Sequence, residues 1–224
     1  MFVDNLPWIN ENHGQAYYSD RTLALAVLFD MCPDNDDTEC VRLLSEKDKI
    51  GVSYPCNAIW PMWALAKANR IDVVLKDMRE LWAAMPSVTV NNTIQEFWQT
   101  EPDSWSQWSH CAVGPLIVLY QGIAGIYPLK PGYKEFMISP QLGDLTDVEL
   151  EVQTPMGGIH FKTEGKYGKR TLLLDIPAGG KAVLNLDSRE NVKLKPLMSN
   201  NQLKGKKQYE LIGGKTYKLN LKYM

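Results

Sequence analysis

The chain has 224 residues, of which 45% are hydrophobic and 22% charged, and its formal net charge is −2. That balance belongs to a folded globular protein and excludes disordered and collagen-like chains. No apolar run approaches the roughly 20 residues of a membrane-spanning helix, and Met1–Asn10 has neither the basic nor the apolar region of a signal peptide, so no membrane partner is expected.

Composition and charge change near Pro128. All seven tryptophans and all four cysteines precede it, and residues 1–128 carry a balance of −8 against +6 for residues 129–224. Two domains are expected, 1–128 and 129–224. The lysines of the second are spread singly through strand-like segments, as on a solvated sheet face, which argues against a nucleic-acid partner.

In chain order, Ser19 or Asp20 can cap a helix running Leu23-Ala24-Leu25-Ala26-Val27-Leu28-Phe29, apolar on every side and stopped by Pro33. After the acidic run Asp34–Asp37, Val41 and Leu44 mark a shorter helix with one apolar face. Ala58 to Ala66 is again apolar all round, whereas Val74, Leu75, Met78, Leu81, Trp82 and Met85 recur at helical spacing opposite Lys76, Asp77, Arg79 and Glu80. Ala112 to Ile123 closes the series as a fifth, wholly apolar segment. Alternation of buried and amphipathic helices is the order of an inner and an outer ring.

From Tyr133 onward, period-two alternation predicts strands at 136–138, 148–152, 159–161, 171–176, 182–186, 209–211 and 217–221, separated by Gly-Gly, Pro-Gly, Asn-Asn and Lys-Gly. Short strands at that spacing predict a β-sandwich. The four cysteines form no C-x-x-C pair, which removes zinc-ribbon and thioredoxin-like readings. Buried free thiols are expected, and an oxidising compartment would permit a Cys32–Cys40 disulfide across the turn at Pro33.

The stretch Asn91 to His110 concentrates three tryptophans, a phenylalanine, three carboxylates and a histidine between two helices. Sugar recognition needs this mixture, because pyranose C–H faces stack on rings while hydroxyls require fixed donors and acceptors. Glycosidic cleavage further requires a carboxylic acid and a carboxylate across the scissile bond. Glu96, beside Phe97 and Trp98, is the candidate base. The competing readings make Glu96 a hydrogen-bonded structural residue and His110 a core histidine, while Glu101 and Asp103 cap a helix or face solvent. No metal or other cofactor is called for.

Thr93-Ile94-Gln95-Glu96-Phe97-Trp98, Ser109-His110-Cys111-Ala112-Val113-Gly114-Pro115 and Gly122-Ile123-Ala124-Gly125-Ile126 resemble the last catalytic motifs of glycoside hydrolase family 78, the bacterial α-L-rhamnosidases. Pro131-Gly132-Tyr133-Lys134, Ile138 to Leu145 and Thr154 to Ile159 resemble that family's passage into its C-terminal β-sandwich. The likeness is specific from about Asn92 to Phe161. It implies a chain of multidomain α and β class: the rear helices only of an (α/α)6 barrel, followed by an all-β sandwich. It also implies inverting hydrolysis of terminal α-L-rhamnosyl groups, with the two carboxyl groups about 6.5–9.5 Å apart. Glu96 inherits the general-base role and His110 a contact to a sugar hydroxyl. Trp98 or Trp105 is the candidate to face the sugar's methyl group.

Two positions depart from the pattern: Gln95 stands where many members have Trp, and Ser109 where many have Asn, which puts substrate choice in doubt. No residue matches the family's general acid, so the isolated chain is expected to be inactive. Its expected partners are a rhamnose-containing glycoside and either the missing front of the barrel or a second copy covering exposed inner helices. A periplasmic or secreted location is favoured over a cytoplasmic one. The alternatives are a non-catalytic carbohydrate-binding or scaffolding protein and another α/α-toroid glycosidase or polysaccharide lyase.

Overall fold

The computed structural model describes residues 18–47, 50–101, 104–194 and 206–223. The chain folds as two compact units that divide between Val118 and Leu119. Within the described residues no helix is long and apolar enough to cross a membrane.

In the first unit β1 (Tyr18–Ser19), which leads directly into helix α1 (Asp20–Leu28), pairs in parallel with β2 (Ile50–Gly51) from later in the chain. Then come α2 (Thr38–Glu46), α3 (Ile59–Lys67), α4 (Ile71–Asp77), which runs on as a π-turn through Met78–Trp82, α5 (Pro86–Asn91) and α6 (Gly114–Val118). Helix α3 packs between α1 and α6, while α2 packs on α1 and α3, and α4 on α3. Leu23, Ala24, Ala64, Leu65, Val74 and Val118 are fully buried at the centre of this arrangement. Gly114 lets α6 approach α3, since a Cβ there would meet the Ile59 Cα at 3.2 Å.

The helix readings hold in position but overstate burial. In α1, Leu25 is exposed, as are Phe29 and Met31 beyond it, and next to and within α6 Val113 and Leu116 are exposed too. These apolar side chains lie on the two flanking members of the row, where no described helix covers them. Composition reports that a face is apolar, not that something covers it. Leu81 also turns outward, while Asp77, placed on the charged face, is half-buried and pairs with Lys47 at 2.5 Å. Neither Ser19 nor Asp20 caps α1 through its side chain. Asp20 instead accepts hydrogen bonds from the Ser53 backbone N–H (2.7 Å) and hydroxyl (2.6 Å), tying the loop before α3 to the start of α1.

The second unit begins with a π-turn over Leu119–Ile123 and is otherwise β. A four-stranded sheet has the order β10 (Lys206–Ile212), β8 (Lys181–Asp187), β4 (Glu135–Ile138), β3 (Ile126–Pro128), with β4 and β8 parallel. A five-stranded antiparallel sheet has the order β5 (Asp147–Thr154), β6 (Gly157–Lys166), β7 (Lys169–Ile176), β11 (Lys215–Tyr223), β9 (Glu190–Asn191). All seven strands expected from alternation are present, and β5 through β7 bury Val148, Leu150, Ile159, Phe161, Leu172, Leu174 and Ile176 at alternate positions. The Asn200-Asn201 and Lys204-Gly205 punctuation lies outside the described residues. Gly125 enters β3 at φ +68°, where a Cβ would strike the Ser139 carbonyl oxygen at 2.1 Å. Only glycine fits that crossing.

Among the described residues, the core of this unit holds the ion pair Arg170–Glu190. Arg170 Nε and Nη2 each donate to a Glu190 carboxylate oxygen at 2.7 Å, both side chains are essentially inaccessible, and the guanidinium lies over the Tyr167 ring at 4.5 Å. Charges removed from water this completely persist only when paired and hydrogen-bonded.

Candidate active site

Segment 92–111 lacks the period of a helix or a strand, and its order comes from discrete hydrogen bonds. Asn92, left-handed at φ 53°, stops α5. Beyond it the chain runs alongside its own later part: Glu96 N–H donates to the Ser106 carbonyl (3.0 Å), Ser109 N–H to the Ile94 carbonyl (2.8 Å), and the Thr93 hydroxyl to the Gln107 carbonyl (3.3 Å). This register sets Glu96 opposite Ser106, one residue from Trp105, and Ile94 opposite Ser109, one residue from His110.

Gln95 is the pin beneath. It is fully buried; its Oε1 accepts the Ser87 N–H (3.1 Å) in the first turn of α5, and its Nε2 donates to the carbonyls of Phe97 (2.8 Å) and Trp98 (3.1 Å). An amide with both ends satisfied by backbone holds the segment on either side of Glu96. A second clasp joins the hydroxyls of Thr100, Ser104 and Ser106, with Ser104 and Ser106 3.1 Å apart.

The four site candidates fall into two groups. Trp98 points inward: its indole N–H donates to the Ser53 carbonyl (2.7 Å) and its ring meets Trp82 edge-on at 5.3 Å. Through Ser53 it is linked to Asp20, so its polar edge is committed to architecture. Trp105, by contrast, is 78% exposed, and its ring meets Phe97 edge-on at 5.9 Å; Phe97 in turn meets Tyr54, 55% exposed, at 4.8 Å. Glu96 is half-buried and His110 exposed, outside the core. Among the described residues neither side chain has a hydrogen-bond or ion-pair partner. A free carboxylate and a free imidazole beside a tiered aromatic surface can accept and donate hydrogen bonds to a polyol while a ring supports its C–H face. Glu101 is exposed, and Asp103 lies outside the described residues.

Residue-type reasoning overlooks Gln95 and Tyr54. In the sequence Gln95 stands out only as a departure from a pattern, although a lone amide between apolar and aromatic neighbours signals a buried polar clamp. Tyr54 lies about forty residues away and nothing local announces it. A cleft of about 1030 Å3 between α2 and α4 has no aromatic lining, and its cations are engaged: Lys47 with Asp77, Arg70 with Asp72 (3.1 Å), Lys67 with Asp30 (2.9 Å) and Arg42 with Glu39 (2.7 Å). It offers a sugar little. Among the described residues no three His, Cys, Asp or Glu side chains gather as a metal would require.

Comparison with known proteins addresses both units. Residues 125–197 match the family model of the bacterial alpha-L-rhamnosidase C-terminal domain. The α-L-rhamnosidase of Streptomyces avermitilis, solved with L-rhamnose, superposes on 93% of this chain at TM-score 0.70 and 18% identity, using 22% of its own length. That of Dictyoglumus thermophilum superposes on 91% at TM-score 0.70 and 13% identity, using 25% of its length. That of Aspergillus terreus gives 89%, 0.64 and 20%, using 24%. This chain thus spans about a quarter or less of the length of the solved α-L-rhamnosidases it resembles. No curated protein sequence matches it. The resemblance read from the motifs is therefore found again in an α-L-rhamnosidase C-terminal domain model over residues 125–197 and in the fold of most of the chain.

Proposed function

We propose that this chain supplies the general-base half of an inverting α-L-rhamnosidase site, with Glu96 activating the attacking water. The observation that carries the reading is the contrast within segment 92–111. Its backbone is fastened by Gln95, Ser106 and Ser109, while among the described residues the side chains of Glu96 and His110 have no hydrogen-bond or ion-pair partner and Trp105, edge-on to Phe97, keeps its ring exposed. Structure that immobilises a loop while leaving its carboxylate unpaired favours chemistry over packing. In this scheme Trp105 supports the sugar face, His110 holds a hydroxyl, and Glu96 takes a proton from water on the face opposite the leaving group. Trp98, with its N–H committed to Ser53, acts from behind as a support.

The general acid would come from a barrel half not represented among these residues. The helical row is then the rear of an (α/α)6 barrel, and the exposed Leu25, Phe29, Val113 and Leu116 are the flanks that its remaining helices would cover, with self-association as the alternative cover. A periplasmic or secreted site of action suits a glycoside substrate.

The test uses the full-length enzyme and a panel of aryl glycosides. Release of aryl from the α-L-rhamnoside, with β-L-rhamnose as first product by NMR, is the expected result. Preference for another sugar would make this a different toroid glycosidase. Absence of turnover together with tight rhamnose binding by the 224-residue chain alone would make it a binding module.

A further inference from the structure

We propose that Cys32 and Cys40 form a dithiol modification site that takes a low-molecular-weight disulfide as co-reactant and closes into an internal disulfide. The two sulfurs are 3.6 Å apart, both side chains are buried, and neither is used by the site around Glu96. A disulfide requires sulfurs about 2.05 Å apart, so closure asks for roughly 1.5 Å of approach, within the reach of side-chain rotation.

The intervening turn is already built. Asp34 and Asn35 hold left-handed φ of 56° and 55°, Asn35 N–H donates to the Cys32 carbonyl (3.2 Å), Asp36 N–H to the Pro33 carbonyl (3.0 Å), and the Thr38 N–H to the Asp36 carboxylate (3.0 Å). A turn fastened at three points keeps the cysteines as neighbours. The other thiols, Cys56 and Cys111, are not hydrogen-bonded to each other or to this pair, and Cys111 is exposed.

The pair is asymmetric. A cavity of about 300 Å3 lined by Ala26, Val27, Asp30, Asn35 and Asp37 opens on Cys32 and not on Cys40. Burial, with the adjacent Cys32 thiol, Asp37 and Glu39 adding to it, pushes the Cys40 thiol up to about 11. Cys32 is therefore the entry sulfur and Cys40 the resolving one. The Cys32 thiolate attacks one sulfur of the co-reactant R–S–S–R, forming the mixed disulfide and releasing one R–S⁻. The Cys40 thiolate then attacks the Cys32 sulfur and expels the second R–S⁻. Two protein thiols lose two electrons and two protons, and the co-reactant is reduced to two thiols. The product staples the exit of α1 to the first turn of α2.

The experiment takes the 224-residue chain with Cys56→Ser and Cys111→Ser, so that only the pair remains, and exposes it to cystamine or to oxidised glutathione. Closure predicts a loss of 2 Da, no titratable thiol, a cross-linked Cys32–Cys40 peptide, a melting temperature raised by several degrees and reversal by dithiothreitol. Adding Cys40→Ala should trap the adduct on Cys32, whereas Cys32→Ala should leave Cys40 largely unmodified. Asp30 and Asp37 at the cavity predict that the cationic reagent reacts faster than the anionic one. Two titratable thiols persisting after prolonged oxidation of the folded protein, or the adduct appearing on Cys40 in preference to Cys32, would overturn the proposal. If the serine background does not fold, peptide mapping of the oxidised wild-type chain separates the same two outcomes: a Cys32–Cys40 cross-link supports the proposal, and its absence overturns it.

Discussion

Each unit is fastened by a different kind of buried polar group. The β unit encloses a full ion pair, Arg170–Glu190, in a sheet core that also buries the neutral Thr163 and Asn185, and sets other charges in surface pairs such as Lys162–Glu149 (3.1 Å) and Lys181–Glu210 (2.6 Å). The helical unit encloses a neutral amide, Gln95, whose bonds all go to backbone. The first arrangement fixes a sheet edge and commits its charges to the fold. The second fixes a loop without consuming the carboxylate beside it, and chemistry needs a rigid backbone under a free side chain.

The largest effect should come from splitting the ion pair. Glu190→Gln leaves the Arg170 guanidinium buried without a counter-charge and should cost about 3–5 kcal/mol in urea unfolding of the β unit; a loss below about 1 kcal/mol would mean that water reaches the pair. Gln95→Ala orphans the Ser87 N–H and the carbonyls of Phe97 and Trp98, at about 3 kcal/mol in all by the usual cost of unsatisfied buried groups. Hydrogen exchange should then show residues 93–109 opening, with the β unit unaffected. Next come the tryptophans. Trp98→Phe forfeits the bond to the Ser53 carbonyl and should cost about 1 kcal/mol. Trp105→Ala should change stability by no more than about 0.5 kcal/mol, yet weaken rhamnose binding in the full-length enzyme. Equal stability costs for the two would erase the division between inward and outward rings.

The smallest effect concerns pH. Arg70 holds the Asp72 carboxyl low, Lys130 that of Glu135, and Lys162 with His160 that of Glu149. A carboxyl whose folded pKa lies below its unfolded one binds fewer protons folded than unfolded. Its contribution is therefore present above the unfolded value and lost as pH falls through the folded one. Acid melts should show a shallow decline below the ordinary carboxylate range. Added salt should flatten it, because Asp72 and Glu149 are exposed and Glu135 is partly so.

How much of this is legible in the sequence differs by element for physical reasons. Strands β5 to β7, β10 and β11 are readable because a half-buried strand writes its burial as alternation, whereas β3 and β9, of three and two residues, are too short to carry a period. Helix α5 escapes the periodicity reading, although Pro86 at its first position and the left-handed Asn92 at its end are recognised start and stop signals. Glu96 and Trp105 can be put forward from type and neighbourhood, whereas His110 enters as a sugar contact only through the family resemblance. The separation of Trp98 from Trp105 cannot be read from neighbourhood, since it depends on Ser53 and Trp82, distant in sequence.

The central claim is that Glu96 is held rigidly so that it can take a proton from water. Glu96→Gln in the full-length enzyme tests it, because the amide keeps the shape of the side chain and removes the base. With the melting temperature unchanged, turnover of an aryl α-L-rhamnoside should fall at least about 100-fold while KM changes little. Near-normal turnover by that variant would contradict the account.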